Sequence, residues 1–146
     1  MRLQVGPFDP ALHVRSRDHH RAICREAALL DTPPESMPRR WEAAVGRFYR
    51  RLNLGPVTEA VDRAFVAGES AFAVEVTVPD GQLAEAIAAC HELEGLLGDV
   101  LRWAQESDAD VLNLPEDVRA HYLAFLAQAR TQLEAAGNAV AERAVP

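Results

Sequence analysis

The sequence predicts a mainly α-helical fold: about five helices in a bundle around a long central helix at 81–107, with one extended or strand segment at 71–78. Three observations predict it. Helical apolar spacing runs from Asp80 to Gly137 with one polar break, which reads as two helices folded back on each other. Shorter stretches of the same spacing precede it, separated by proline and glycine. Only one stretch, Ala71 to Val78, alternates with a period of two. At 146 residues the chain fits one helical domain, 1–146.

Residues 1–10 are proline-punctuated and read as extended. A first helix is expected from Ala11 to Leu30, with Leu12, His19, Ile23, Ala27 and Leu30 on one face. Consecutive prolines at Pro33 and Pro34 cannot continue it. Ser36 then offers a cap and Pro38 a first-turn proline for a second helix, Met37 to Leu52. Its stripe is Trp41, Ala44, Val45, Phe48 and Leu52, and arginines fill the rest. After the Asn53–Pro56 turn, a third helix to about Ala67 turns Val57, Val61, Ala64 and Phe65 inward and ends at Gly68.

In the alternating segment Phe72, Val74, Val76 and Val78 share a face. A strand there needs a partner, because unpaired buried backbone groups are costly. The candidates are Leu3-Gln4-Val5 or the same strand of a second copy, and the alternative is an extended segment lying over the helices. The long helix follows, with Asp80 as its expected cap. One seam holds Leu83, Ile87, Cys90, Leu97, Leu101 and Ala104, and a second holds Leu93, Leu96, Val100 and Trp103. A helix apolar on two sides belongs in the centre. Ser107-Asp108-Ala109-Asp110 should break it. Asn113, with Glu116 in capping-box register, should start a last helix at 114–136 carrying Val118, Tyr122, Phe125, Ala129 and Leu133. Gly137 should end it and leave a frayed tail at 138–146.

Composition narrows function by exclusion. Hydrophobic residues at 49% with 25% charged are ordinary globular values. No apolar run reaches the ~18 residues of a membrane span, and the first residues lack the apolar core of a signal peptide. Two cysteines in a chain of this length fit a reducing compartment, so the expected location is the cytoplasm. All fifteen basic residues are arginine. Residues 1–51 hold ten of them against six acids, and residues 52–146 hold five against sixteen. So acidic a second half argues against nucleic acid as a partner.

Candidate chemistry is sparse. His13, His20 and Cys24 fall within ~40° of one another on a helix, and His20 and Cys24 are one turn apart. With Cys90 and His91 they form the one candidate metal set, against which stands the absence of any CxxC, HxxxH or HExxH pattern. His19, on the apolar stripe, is either a ligand contact or a core-edge residue with its ring hydrogen-bonded. No phosphate loop or nucleophile elbow is present, and Cys90 and His91, adjacent in sequence, point ~100° apart on a helix, so no catalytic residue and no cofactor is expected. The basic face of Arg39, Arg40, Arg47, Arg50 and Arg51 is the candidate contact for an acidic protein partner, or else a solvated helix face.

The stretch Leu93-Glu94-Gly95-Leu96-Leu97-Gly98-Asp99-Val100, then Leu112-Asn113-Leu114-Pro115-Glu116-Asp117-Val118, then Tyr122-Leu123 and Gln128, resembles a group of helical actinobacterial proteins. Those are encoded beside anti-sigma-factor serine kinases, anti-sigma-antagonist domains and their phosphatases. Asp18-His19-His20-Arg21 and the valine-rich Val74 to Pro79 are similar too, whereas Trp103-Ala104-Gln105 stands where the relatives carry a Tyr-Cys pair. The resemblance implies a non-catalytic regulatory or protein-interaction role in bacterial signalling of the partner-switching type. A small-ligand or metal sensor built on the His/Cys set is the alternative. A homodimer through the strand or the second seam is a further expectation.

Overall fold

Five helices and a two-stranded antiparallel ribbon form the computed structural model, which describes residues 1–107 and 112–145. In chain order these are β1 (Arg2–Phe8), α1 (Pro10–Leu29), α2 (Met37–Arg51), α3 (Gly55–Val66), β2 (Phe72–Thr77), α4 (Leu83–Glu106) and α5 (Glu116–Ala144). A 3₁₀ turn, Asp80–Gln82, leads into α4. Among the described residues no helix is long and apolar enough to cross a membrane.

Local chemistry sets the helix ends. The Asp9 carboxylate accepts the Ala11 N–H at 2.9 Å and Pro10 occupies the first turn, so α1 begins there. Ser36 stands at the N-cap of α2, but its hydroxyl donates to the Pro33 carbonyl at 2.6 Å instead of capping the helix. Gly68 closes α3 at φ 69°, a left-handed position that costs glycine little.

The extended segment pairs with the N-terminus of its own chain. Leu3 faces Val76 and Val5 faces Val74, with a register shift between Val5 and Phe8. Leu3, Val5, Phe72, Val76 and Val78 are buried, so the alternating pattern does place one face inward. The other edge of β1 is covered by α5. Gln132 bonds both backbone groups of Gln4, and Gln128 bonds both of Gly6.

The long helix is central, as its two seams predict. It packs on α2 along one side and on α5 along the other, burying Leu83, Cys90, Leu93, Leu97 and Val100 among others. One hydrophobic cluster draws residues from all seven elements, with Trp41, Phe48, Leu52 and Leu133 among its fully buried members.

The structure corrects several expectations. The last helix starts at Glu116, with Pro115 rather than Asn113 at its cap. It continues through Gly137 to Ala144, so the described part of the tail is helical rather than frayed. A Cβ at Gly137 would stand 3.2 Å from Ile87 Cδ1. Glycine there serves the close approach of α4 and α5 instead of ending the helix. Asp80 accepts from the Met1 amine at 3.2 Å instead of capping a helix. Leu30 and Phe65 are exposed rather than inward. The expected break at Asp108-Ala109-Asp110 lies outside the described residues.

Candidate functional site

Helix α1 does not simply turn an apolar stripe inward. His13, Ser16, Arg17 and His20 recur at steps of three and four, so they share one face. That face looks onto α2 and α5, where Trp41, Glu42, Val45, Phe48 and Tyr49 oppose His121, Tyr122, Phe125 and Leu126. Together they line a cavity of about 340 Å³ that is partly open to solvent, completed by Thr58 of α3 and Leu93 of α4. The wall combines the aromatic rings of Trp41, Phe48, Tyr49, Tyr122 and Phe125 with histidines, arginines and hydroxyl groups. That is the composition of small-molecule sites, and the volume is at the low end of their range.

At one end, His13 Nδ1 and His121 Nε2 lie 3.0 Å apart, so one ring donates to the other. Phe8 meets His121 edge-on at 5.2 Å between ring centroids, and Phe72 meets His13 at 5.5 Å. The ribbon thereby seals this end with apolar rings. Burial, then the neighbouring His121, lowers the His13 pKa to about 4. Burial also lowers that of His121, partly offset by Asp9. Both imidazoles are therefore neutral at pH 7. Ser16 donates to the His13 carbonyl at 2.8 Å, and the Tyr122 hydroxyl donates to the Ser16 carbonyl at 2.6 Å, tying α5 to α1.

At the other end the Trp41 indole N–H donates to His20 Nδ1 at 3.1 Å. Indole is only a donor, so neutral His20 carries its proton on Nε2. That N–H faces Cys24 Sγ at 3.5 Å and has no lone pair with which to take the thiol proton. Burial, followed by the charge of Glu42 and a hydrogen bond to it, pushes the Cys24 thiol up to about 12. The pair resembles an activated cysteine in spacing and lacks its chemistry.

The five candidate metal ligands are not brought together. His20 and Cys24 touch, but His13 is spent on His121. Cys90 is buried within α4, where desolvation first and then Glu94 push its thiol up to about 12. His91 is exposed and lies 3.1 Å from Glu134 of α5. Among the described residues no three His, Cys, Asp or Glu side chains gather as a metal-binding group.

His19 is buried outside the main cavity. Its Nε2–H donates to the Leu112 carbonyl at 2.8 Å, and its Nδ1 is buried without a partner. Burial lowers its pKa. The ring borders a smaller cleft of about 220 Å³ formed with Asp18, Asn113, Leu114 and Pro115.

Much of the basic face is engaged within the molecule. Arg47 donates to both carboxylate oxygens of Glu92, at 3.0 Å from its Nε. Arg51 reaches Glu85 at 2.7 Å, and Arg39 lies 3.6 Å from Glu42 on its own helix. The basic first half and acidic second half of the chain thus meet where α2 packs on α4. Arg40 and Arg50 are exposed.

No family model, curated protein or solved structure matches this chain. The cavity must be read from its own residues. His121, Ser16, Arg17 and Tyr49 were not singled out by apolar spacing. A signal for His121 was present: it stands between Val118 and Phe125 at the step the stripe demands.

Proposed function

We propose that this chain is a non-catalytic small-ligand-binding domain with a regulatory role. The observation that carries the reading is the aromatic-walled cavity between α1, α2 and α5. A partly open cleft of this size, rimmed by His13, His20, Arg17 and Tyr49, is chemically suited to a guest. Neutral, hydrogen-bonded histidines and a thiol held protonated support binding rather than turnover.

The setting comes from the resemblance to proteins of partner-switching systems, which supports bacterial signalling in the cytoplasm. In this reading an occupied cavity alters how α1 and α2 are held, and a protein partner senses that difference. Arg40 and Arg50 are the members of the basic face left for such a partner, since Arg39, Arg47 and Arg51 have acidic neighbours within the chain.

The test is ligand-observed NMR with a set of one-ring and two-ring aromatic fragments, on wild type and on Val45→Trp. The larger side chain at Val45 fills the cavity from α2. Fragments that bind wild type and are lost in the folded variant support the reading. Failure of every fragment to bind, or binding unchanged in Val45→Trp, contradicts it.

A further inference from the structure

We infer that the cavity takes an organic anion with an apolar, preferably aromatic, body, its acidic group anchored by Arg17; this rests on the ligand-binding reading above.

The wall supplies the first half of the argument. Trp41, Phe48, Tyr49, Tyr122 and Phe125 come from two helices and face one space. Trp41 and Tyr122 stand edge to face, 6.2 Å between centroids. Flat apolar surfaces of this kind favour a ring or a short hydrocarbon body. A volume of about 340 Å³ suits one ring system with a short arm.

Charge supplies the second half. Of the groups lining the cavity, Arg17, Arg21 and Glu42 carry charge at pH 7, an excess of one positive. Burial lowers the pKa of His13, His20 and His121, so those rings add none. Glu42 lies beside Arg39, 3.6 Å away on its own helix. Arg17 differs. One of its terminal nitrogens, Nη1, meets Asp62 at 2.8 Å, while its Nε is buried with no hydrogen-bond partner.

A guanidinium carries five N–H donors in a planar fork. Here Asp62, itself half exposed on α3, satisfies one nitrogen. The unpartnered Nε is closed off from the cavity as it is from solvent, so the anchor is the rest of the guanidinium that borders it; a carboxylate or similar anion is the acceptor that best matches such a fork. Tyr49 lines the same cavity and brings a phenol to it. The acidic group of the guest therefore meets a cation and a phenol, and its body meets the aromatic wall.

The probes are 3-phenylpropionate and its neutral amide, 3-phenylpropanamide, titrated calorimetrically into the full chain. The inference expects the anion to bind wild type at least tenfold more tightly than the amide. Arg17→Met should bring the two within about twofold by weakening the anion alone. Asp62→Asn, which frees the guanidinium from its competitor, should tighten the anion and leave the amide unchanged. This second variant also decides the matter if Arg17→Met does not fold. An amide that binds wild type as well as the anion overturns the ligand class while the cavity reading stands. So does an anion affinity that Asp62→Asn does not raise. Binding of neither probe to wild type overturns both.

Discussion

Gln128 and Gly6 exchange two hydrogen bonds across 122 positions of sequence: the Gln128 amide donates to the Gly6 carbonyl at 2.8 Å, and the Gly6 N–H donates back to Oε1 at 2.9 Å. One turn later Gln132 does the same for Gln4, at 2.7 and 2.8 Å. The helix side chains act as a third strand, covering an edge that would otherwise expose unpaired backbone. They also hold Phe8, two residues after Gly6, against His121 at the end of the cavity. This latch gives Gln128 a structural role.

Truncation of the latch should cost stability. Gln128→Ala leaves the partly buried Gly6 N–H and carbonyl without protein partners, an expected loss of about 1–3 kcal/mol in urea unfolding. Gly6→Ala should cost about 2 kcal/mol or more, because its φ is 97° and a Cβ would lie 2.4 Å from the Phe72 carbonyl oxygen. Gln128→Ala should also promote self-association at high concentration, measured by light scattering, by opening the β1 edge.

The Arg47–Glu92 contact should behave as an intramolecular clamp between α2 and α4. Hydrogen bonding to Arg47, only partly opposed by desolvation, lowers the Glu92 pKa below the ordinary carboxylate range. The stabilisation is present above the unfolded value of 4.5 and is lost as pH falls through the lower folded value. Both groups are more than a third exposed, so the pair is worth at most about 1 kcal/mol. Arg47→Glu should destabilise through like charge, and adding Glu92→Arg should restore most of the loss. A double-mutant cycle in urea measures it.

Acid should weaken the fold through its histidines before carboxylates contribute. His13 titrates near 4 in the folded chain against 6.5 when unfolded. Between those values the unfolded state binds the extra proton, so stability falls as pH drops from 6.5 toward 4 and is unaffected by this group above 6.5. The slope for one such group is at most about 1.4 kcal/mol per pH unit. His19, His20 and His121 shift the same way. Replacing His13 and His121 together by Phe should flatten the decline in melting temperature between pH 7 and pH 4.5.

Cys24 should be a poor nucleophile despite its histidine neighbour. A thiol pushed up to about 12 holds little thiolate at pH 8. Alkylation by iodoacetamide in the native protein should run at least about a hundredfold slower than for free cysteine, and urea should abolish the difference.

The fold was largely legible in the sequence because it follows apolar spacing. The α2 stripe of Trp41, Ala44, Phe48 and Leu52 and the alternation through Val74 and Val76 both ended up in the core or against it. Errors arose where position outweighed residue type. Asn113 looks like a cap, yet Pro115 opens α5; Gly137 looks like a stop, yet it is a contact point against Ile87. The cavity was mostly hidden for the same reason. On α1 the expected His19, Ile23 and Ala27 are buried, but so are His13 and Ser16, while Leu30 is exposed, so apolar spacing marks only part of the buried face. Pairings such as His13 with His121 join positions 108 apart, and no local pattern encodes them. The arginine face was visible as a pattern. That much of it is matched by acids on α4 depended on helix packing.

The most direct measurement uses the chain's two tryptophans, Trp41 in the cavity wall and Trp103 on α4 outside it. Their indole N–H signals can be followed separately by NMR while 3-phenylpropionate is added. A ligand-binding cavity predicts a saturable shift of the Trp41 signal, whose N–H bonds His20, with Trp103 unmoved. No shift at Trp41 up to the solubility limit of the probe, or equal shifts at both, would contradict the account.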